Sequence, residues 1–241
     1  NLTEGIDETS WSLHLPRDTV LFDINETVLD LATLMPRFAT ALGDQALART
    51  WFVMLLHTST VCALTGVKTG FAELASVMLD KIATLRDRTI SDEDRGQILG
   101  DFASLRPHAD VQPTLQRLKS SGYRTVAFSN SSSSLVTKQI ANSGLAENFD
   151  IVISVEEAGG FKPDSKVYKF AAARLDRPIR DLRLIAAHDW DTHGAMVAGM
   201  SAAYIDRSGA PYHPLYRRPR IQSTNMVSVI EQIIAADAGP N

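Results

Sequence analysis

The chain has 241 residues, 44% of them hydrophobic, and its 24 basic and 28 acidic residues give a net charge of −4. This composition predicts a globular core rather than a disordered chain. No basic stripe runs through the sequence, so nothing predicts nucleic-acid binding. The one cysteine, Cys62, excludes an internal disulfide and a multi-cysteine metal site. No apolar run approaches the roughly 18 residues of a transmembrane helix, and a cytoplasmic location without membrane contact is the default expectation.

Short apolar runs alternate with longer helical patterns along most of the chain. The runs are rich in β-branched residues and are flanked by Gly, Pro, Asp or Ser, which is typical of buried strands. Strands are predicted at residues 19–24, 124–128, 151–155, 182–187 and 202–205, and helices at 113–120, 133–141, 166–175 and 192–198. The alternation predicts an α/β fold in which helices cover both faces of a parallel, Rossmann-like sheet.

The interval 33–107 interrupts this alternation. It contains no convincing strand, and a loop of that length inside a compact domain would be improbable. Its apolar residues instead follow the spacing of one helix face, as in Phe71, Leu74, Met78 and Ile82. We therefore predict a helical cap at 33–107, inserted into a catalytic core formed by residues 1–32 and 108–241.

Polar segments follow four of the predicted strands, at the end of the sheet where α/β proteins bind ligands. In chain order they are FDINET with Asp23 and Thr27, FSNSS with Ser129 and Asn130, GGFKPDSKVY with Lys162 and Tyr168, and AAHDWDTHGA with His188, Asp189, Trp190 and Asp191. A single aspartate after a strand is often a turn former or a helix cap. The argument for a catalytic site therefore depends on all four segments together.

In this order and spacing the four segments resemble the motifs of the haloacid dehalogenase superfamily, and more narrowly those of its type II, L-2-haloacid dehalogenase branch. The resemblance covers nearly all of residues 18–236. It implies hydrolysis of a small 2-haloacid through an ester on Asp23, without a metal or another cofactor. It also implies a homodimer.

The resemblance implies roles for the polar residues at the strand ends. Asp23 is the expected nucleophile, and Lys162 would keep it ionised, because an opposite charge within about 4 to 6 Å lowers a carboxyl pKa by roughly 1 to 3 units. Asp191 would position or deprotonate the hydrolytic water. The other predicted catalytic residues, which would orient the nucleophile and bind the substrate carboxylate, are Thr27, Ser129 and Asn130.

A cap arginine is expected to cradle the departing halide. Arg49 is the first candidate, and Arg37 remains an alternative. The further predicted substrate or halide contacts are Ile24, Asn25, Trp51, Tyr168, His188 and Trp190. Some members of the branch carry Asn at the position of His188. Glu26 is expected to face away from the site, because a like charge would raise the pKa of Asp23.

Two other functions remain possible for such a sequence: a Mg²⁺-dependent phosphatase of the same superfamily, and a non-catalytic protein that binds a small anion. The phosphatases usually carry a second aspartate two residues after the nucleophile, where this chain has Asn25, which cannot act as a general acid. Halide needs no proton to leave. Ala187 stands where an expected Mg²⁺ ligand would be, although Asp189 keeps metal binding open.

Overall fold

The strands of the computed structural model form a six-stranded and a two-stranded sheet within residues 17–238, the part of the chain that the structure describes. In chain order they are β1 (Thr19–Phe22), β2 (Leu29–Asp30), β3 (Arg106–Pro107), β4 (Arg124–Ser129), β5 (Ile151–Ser154), β6 (Leu182–Ala186), β7 (Ser201–Ile205) and β8 (Ile221–Ser223). The large sheet has the order β5-β4-β1-β6-β7-β8, and every neighbouring pair is parallel. The predicted parallel α/β fold is confirmed.

Helices of the core follow the strands as parallel connections require. They are α5 (Val111–Ser120), α6 (Ser133–Asn142), α7 (Ser165–Leu175), α8 (Asp189–Val197) and α9 (Met226–Asp237), which follow the insertion helices α1 (Met35–Leu42), α2 (Leu47–Thr65), α3 (Phe71–Thr84) and α4 (Asp92–Phe102). β1 lies between β4 and β6, and Val20, Leu21 and Phe22 are buried. Their unbroken apolar run reflects a strand that is covered on both faces. β8 and α9 were not predicted.

The interval between β2 and β3 is helical, as its spacing indicated. A one-turn 3₁₀ helix, Leu31–Leu34, leads into α1, and α4 ends just before β3. β2 and β3 pair antiparallel, with Leu29 opposite Pro107, and so bring the two ends of the insertion together. The boundaries 33–107 of the cap, and those of the core, stay a prediction. Residues 1–16 and 239–241 of the predicted core lie outside the described residues.

Helix α2 is the centre of this insertion. Among the described residues it is the one helix that is long and apolar enough to cross a membrane, with a mean hydropathy of 1.3. Trp51, Phe52 and Leu55 on α2 are buried, and α2 packs against α1 and α3. The indole nitrogen of Trp51 donates to the carbonyl of Ala75, 3.0 Å away in α3. These contacts identify α2 as the core helix of the insertion.

Candidate active site

The sheet topology brings the predicted polar segments to one edge. Asp23 is the first residue after β1, and its N–H donates to the carbonyl of Ile185 in β6 at 3.0 Å. Ser129 ends β4 on one side of β1, and His188 follows β6 on the other. An aspartate thus projects from the centre of the sheet, between the ends of its two neighbouring strands.

A buried lysine joins two carboxylates at this edge. The ammonium nitrogen of Lys162 lies 3.1 Å from Oδ1 of Asp23 and 2.9 Å from Oδ2 of Asp191. Its third acceptor is the carbonyl of Phe128, at 2.9 Å. Because an ammonium group has three protons, these acceptors satisfy it completely. The Lys162 side chain is fully buried.

The charges of this cluster shift the pKa values of Asp23 and Asp191 in opposite directions. Burial favours the neutral form of Asp23, but Lys162 and His188 outweigh it and hold the pKa of Asp23 well below its usual value. Burial raises the pKa of Asp191 despite the attraction of Lys162, and the charge of Asp23 adds to the rise. Burial lowers the pKa of Lys162, yet the two carboxylates raise it overall. Asp23 is therefore ionised at neutral pH, as a carboxylate nucleophile must be.

Thr27 fixes the orientation of the Asp23 carboxylate. Its hydroxyl donates to Oδ2 of Asp23 at 2.8 Å and accepts from the N–H of Ala187 at 2.8 Å. Asn130 acts one step further away, because its Oδ1 accepts from the backbone N–H of Lys162 at 3.0 Å. The Ser129 hydroxyl accepts from the N–H of Ser131 and holds that turn. The predicted contacts of these side chains with substrate stay predictions.

Tyr168 lies behind Asp191. Its hydroxyl donates to Oδ1 of Asp191 at 2.6 Å, and its side chain is buried. The predicted contact of Tyr168 with substrate or halide stays a prediction; in the structure its hydroxyl is engaged by Asp191. With Lys162 on the other oxygen, Tyr168 holds Asp191 in a single orientation.

Gly194 in α8 provides a test of that orientation. A Cβ atom at this position would lie 2.6 Å from Cβ of Pro163 and 2.9 Å from the hydroxyl of Tyr168. We expect Gly194→Ala to push the hydroxyl off Asp191 and to lower the free energy of unfolding by about 1–3 kcal/mol. Gly100→Ala in α4, which meets no atom within 4 Å, should instead raise it by roughly 0.5–1 kcal/mol. Urea unfolding of both variants makes the comparison; equal effects would contradict it.

His188 lies between Asp23 and Glu26. Its Nε2 is 2.7 Å from Oε2 of Glu26, and its Nδ1 is 3.2 Å from Oδ2 of Asp23. The Nδ1 contact is close but poorly aligned, so this buried nitrogen makes no hydrogen bond with the described residues. The prediction that Glu26 faces away is wrong: its backbone has a left-handed φ of 67°, and its carboxylate reaches the imidazole.

Opposing effects set the protonation of His188. Burial disfavours the imidazolium, but the carboxylates of Asp23 and Glu26 overcome this and raise the pKa of His188 to about 10. Trp190 stacks on the ring, with centroids 5.1 Å apart, and Phe52 approaches it at 6.4 Å. At neutral pH the resting site thus holds an imidazolium beside its nucleophile.

This charge predicts how stability depends on pH. The pKa of His188 rises from 6.5 to about 10 on folding, so its contribution is fully present below pH 6.5 and is lost as the pH approaches 10. Between these values the free energy of unfolding should fall by up to about 1.4 kcal/mol per pH unit. Urea unfolding of the wild type and of His188→Asn from pH 7 to 9.5 measures it. Parallel curves for the two proteins would disprove the assignment.

Three predicted contact residues have side chains enclosed by other protein groups, and their contacts with substrate stay predictions. The indole of Trp51 is buried, 5.3 Å from Phe102 between ring centroids, whereas the ring of the neighbouring Phe52 lies 6.4 Å from that of His188. The amide of Asn25 donates to Ser131 at 3.1 Å and accepts from Gln139 at 2.9 Å. The side chain of Ile24 belongs to the hydrophobic core. Helical spacing alone could not decide which of two adjacent aromatic residues turns toward the core.

The two arginine candidates differ in their surroundings. Arg37 is held by Asp101, 2.8 Å from its Nε, and by Gln97, 2.8 Å from its Nη1, so it ties α1 to α4. Arg49 is exposed and lines a cavity of about 440 Å³ together with Glu26 and Arg207. Of the two, Arg49 alone lines this cavity, whose wall includes Glu26, the partner of His188. Neither contacts Asp23 in the described structure.

The parallel α/β core presents an ionised aspartate at the end of strand β1, where a buried lysine and a threonine hold its carboxylate. This arrangement is that of a hydrolase with a carboxylate nucleophile. The chain belongs to the haloacid dehalogenase-like hydrolase family, whose family model matches residues 17–182. The matched residues include Asp23, Lys162 and the strands that carry them.

Curated relatives point in the same direction. An (S)-2-haloacid dehalogenase of Pseudomonas putida is 25% identical over 217 residues, which cover 89% of this chain and 96% of that protein. The (S)-2-haloacid dehalogenase H-109 of the same species is 28% identical over 85% of this chain and 92% of its own. The L-2-haloacid dehalogenase of Xanthobacter autotrophicus with chloropropionic acid covalently bound superposes with a TM-score of 0.83 over 93% of this chain and 99% of that one. At 18% identity, this last likeness shows the fold.

Proposed function

We propose that this protein hydrolyses short 2-haloalkanoic acids, such as haloacetates and L-2-halopropionate, to 2-hydroxy acids. The observation that carries the proposal is the Asp23 carboxylate, kept ionised by Lys162 and aimed by Thr27 at the centre of the site. The relatives named above that are called (S)-2-haloacid dehalogenases support the choice of substrate.

In the first step an oxygen of Asp23 attacks the α-carbon of the haloacid. The carbon–halogen bond breaks, the halide leaves with the bonding electrons, and an ester joins Asp23 to the substrate. No proton is needed at this stage, because halide is the base of a strong acid. The reaction therefore needs no general acid at position 25, where the amide of Asn25 bonds to Ser131 and Gln139.

In the second step water attacks the ester carbonyl of Asp23. The bond between that carbonyl carbon and the ester oxygen breaks, which releases a 2-hydroxy acid and restores the carboxylate. Lys162 keeps Asp23 and Asp191 in register through both steps. Arg49 is the candidate to meet the departing halide, since it lines the cavity that reaches Glu26.

Positive charge in this mechanism comes from the protein rather than from an added cofactor. The ammonium of Lys162 bonds to both aspartates, where a cation would otherwise balance them. Ion pairs of this kind lower the pKa of a carboxyl group as a metal ion can. We propose that the reaction needs no metal and that this site does not hydrolyse phosphate esters.

Chloride release from chloroacetate in the presence of EDTA tests the proposal. We expect sustained turnover that EDTA leaves unchanged, and preference for one enantiomer of 2-chloropropionate. The contrary result is no chloride release, together with Mg²⁺-dependent hydrolysis of a phosphate monoester. That outcome would make the protein a phosphatase of the family.

The setting of the enzyme is part of the proposal. We propose a homodimer in the cytoplasm that acts on a small molecule and binds neither nucleic acid nor membrane. Light scattering coupled to gel filtration measures the assembly, and a mass of one chain at micromolar concentration would refute the dimer.

A further inference from the structure

The side chain of Asn25 takes part in a buried polar contact that the proposed reaction does not require. Nε2 of Gln139, in α6, donates to Oδ1 of Asn25 at 2.9 Å and to the backbone carbonyl of Phe102 at 3.0 Å. Gln139 is fully buried, and Asn25 is 4% exposed. Phe102 is the last residue of α4. One amide group thus joins the core helix α6, the turn that follows Asp23 and the end of the helical insertion.

Asn25 and Phe102 lie near the two connections between the core and the insertion. Asn25 lies between the nucleophile and β2, through which the chain enters the insertion, and Phe102 lies where the chain leaves it toward β3. Resting on the proposed function, we propose that Gln139 is a positioning residue for the displacement of halide. Through Asn25 it holds the turn that carries Asp23 in a fixed position relative to the last helix of the insertion.

The hydrogen-bond partners determine how the Gln139 amide is oriented. The Phe102 carbonyl can only accept, so the Gln139 atom beside it is the amide nitrogen, and the Asn25 atom beside that nitrogen is the amide oxygen. A substitution that removes the NH2 group therefore leaves two buried acceptors without their donor. Because an unpaired buried acceptor is unfavourable, the two bonds keep Asn25 and Phe102 at the separation that this amide sets.

The turn after Asp23 is anchored on both sides of β1. On the side of β6, the Thr27 hydroxyl accepts from the N–H of Ala187. On the side of β4, Asn25 donates through Nδ2 to Oγ of Ser131 at 3.1 Å and accepts the hydrogen bond described above. Displacement at carbon needs the attacking oxygen within about 3–3.5 Å of the α-carbon, and a misplacement of about 1 Å can cost roughly 10²-fold in rate. Loss of one anchor therefore disturbs the aim of Asp23.

Asn142 provides the matched control, because it binds the same end of the insertion without contacting the nucleophile turn. It lies about one turn after Gln139 on α6, and its Nδ2 donates to the Ala103 carbonyl at 2.9 Å and to Oγ of Ser104 at 3.1 Å. If Gln139 only attached the insertion to the core, Asn142→Ala would reproduce the effect of losing Gln139. A positioning role requires the two substitutions to differ.

Quenched-flow mixing with excess chloroacetate measures the rate of the displacement step. The first chloride released and the ester found by intact-protein mass spectrometry report that step, and its dependence on chloroacetate concentration reports binding. Gln139→Met removes the NH2 group but keeps an unbranched side chain. Asn25→Leu removes the partner, and the double variant removes both. Thermal melting gives the folded fraction of each variant at the assay temperature, to which its rate is normalised.

We expect Gln139→Met to slow ester formation at saturating chloroacetate by about 10–100-fold and to leave the half-saturating concentration unchanged. Asn25→Leu should slow it too. The double variant should lose no more than the slower single variant, because both substitutions break the same contact. Gln139→Glu keeps one donor in its neutral form, which burial favours, so its loss should be smaller; it carries the test if Gln139→Met does not fold. Asn142→Ala should form the ester at the wild-type rate.

Ester formation at the wild-type rate in the Gln139 variants overturns the inference. An equal loss in Asn142→Ala also overturns it, since Gln139 would then only attach the insertion. Losses that multiply in the double variant would show that Gln139 does not act through Asn25, and a change confined to the half-saturating concentration would place it in substrate binding. If the wild type itself forms no ester and releases no chloride, the proposed function fails instead.

Discussion

Lys162→Met should leave a protein that folds poorly at neutral pH and releases almost no halide. The substitution keeps most of the side-chain volume but removes the charge between Asp23 and Asp191. Breaking a buried ion pair by removing one partner costs about 3–5 kcal/mol. One of the two aspartates then takes up a proton, because adjacent buried carboxylates cannot both stay ionised. With its nucleophile partly protonated, the variant should lose at least about 10³-fold in turnover.

Acid pH makes this prediction specific. In the wild type the pKa of Asp23 lies below its unfolded value of 3.8, so its contribution to stability is lost as the pH falls through that range. In Lys162→Met the attraction that holds the carboxyl pKa of Asp23 down is gone, and lowering the pH toward 4 should stabilise the variant. Urea unfolding of both proteins between about pH 3 and 6, below the range in which the contribution of His188 changes, compares the two trends. The same trend with pH in both proteins would show that Lys162 does not balance the pair.

Lys166→Met is the matched control for this experiment. Lys166 belongs to the same segment, but its side chain is 48% exposed and lies 3.6 Å from Asp164. Exposed ion pairs contribute about 0–1 kcal/mol. We expect the control to change stability by less than roughly 1 kcal/mol and to keep its turnover.

Asp23→Asn should abolish halide release while the protein stays folded. The amide keeps the shape of the side chain and can still contact Thr27, but it is a poor nucleophile toward the α-carbon. Loss of a catalytic nucleophile costs about 10⁴-fold or more in turnover. Chloride release from chloroacetate and a search for the ester by mass spectrometry measure the effect.

Asp176→Asn provides the comparison for that substitution. Asp176 is exposed at the end of α7 with a left-handed φ of 52°, a conformation that asparagine tolerates well. We expect this variant to turn over as the wild type does. Unchanged turnover in Asp23→Asn would remove that residue from the mechanism.

The parts of the fold that periodicity governs were predictable from the sequence. Buried parallel strands read as short apolar runs, so β1 and its neighbours were found within one or two residues. The order of polar segments after these strands identified Asp23, Lys162 and Asp191 as one cluster, because parallel strands deliver their ends to the same edge. β8 was missed since its three residues, Ile221–Ser223, are only partly buried and show no apolar run.

The side-chain directions were less predictable. Trp51 and Phe52 are adjacent in an apolar run, and tertiary packing, which the run does not encode, decides that Phe52 faces His188. Glu26 was expected to avoid the site because its charge would repel Asp23. That argument left out His188, whose charge lies between the two carboxylates and reverses the sign of the interaction.

One substrate equivalent turned over in heavy-oxygen water tests most directly whether the acid after β1 forms a bond with carbon. With enzyme in excess, we expect heavy oxygen to enter the side chain of Asp23, where peptide mass spectrometry detects it, and we expect the first hydroxy acid to carry ordinary oxygen. A hydroxy acid that carries the heavy isotope, with Asp23 unlabelled, would mean that water displaces halide directly and would contradict the account.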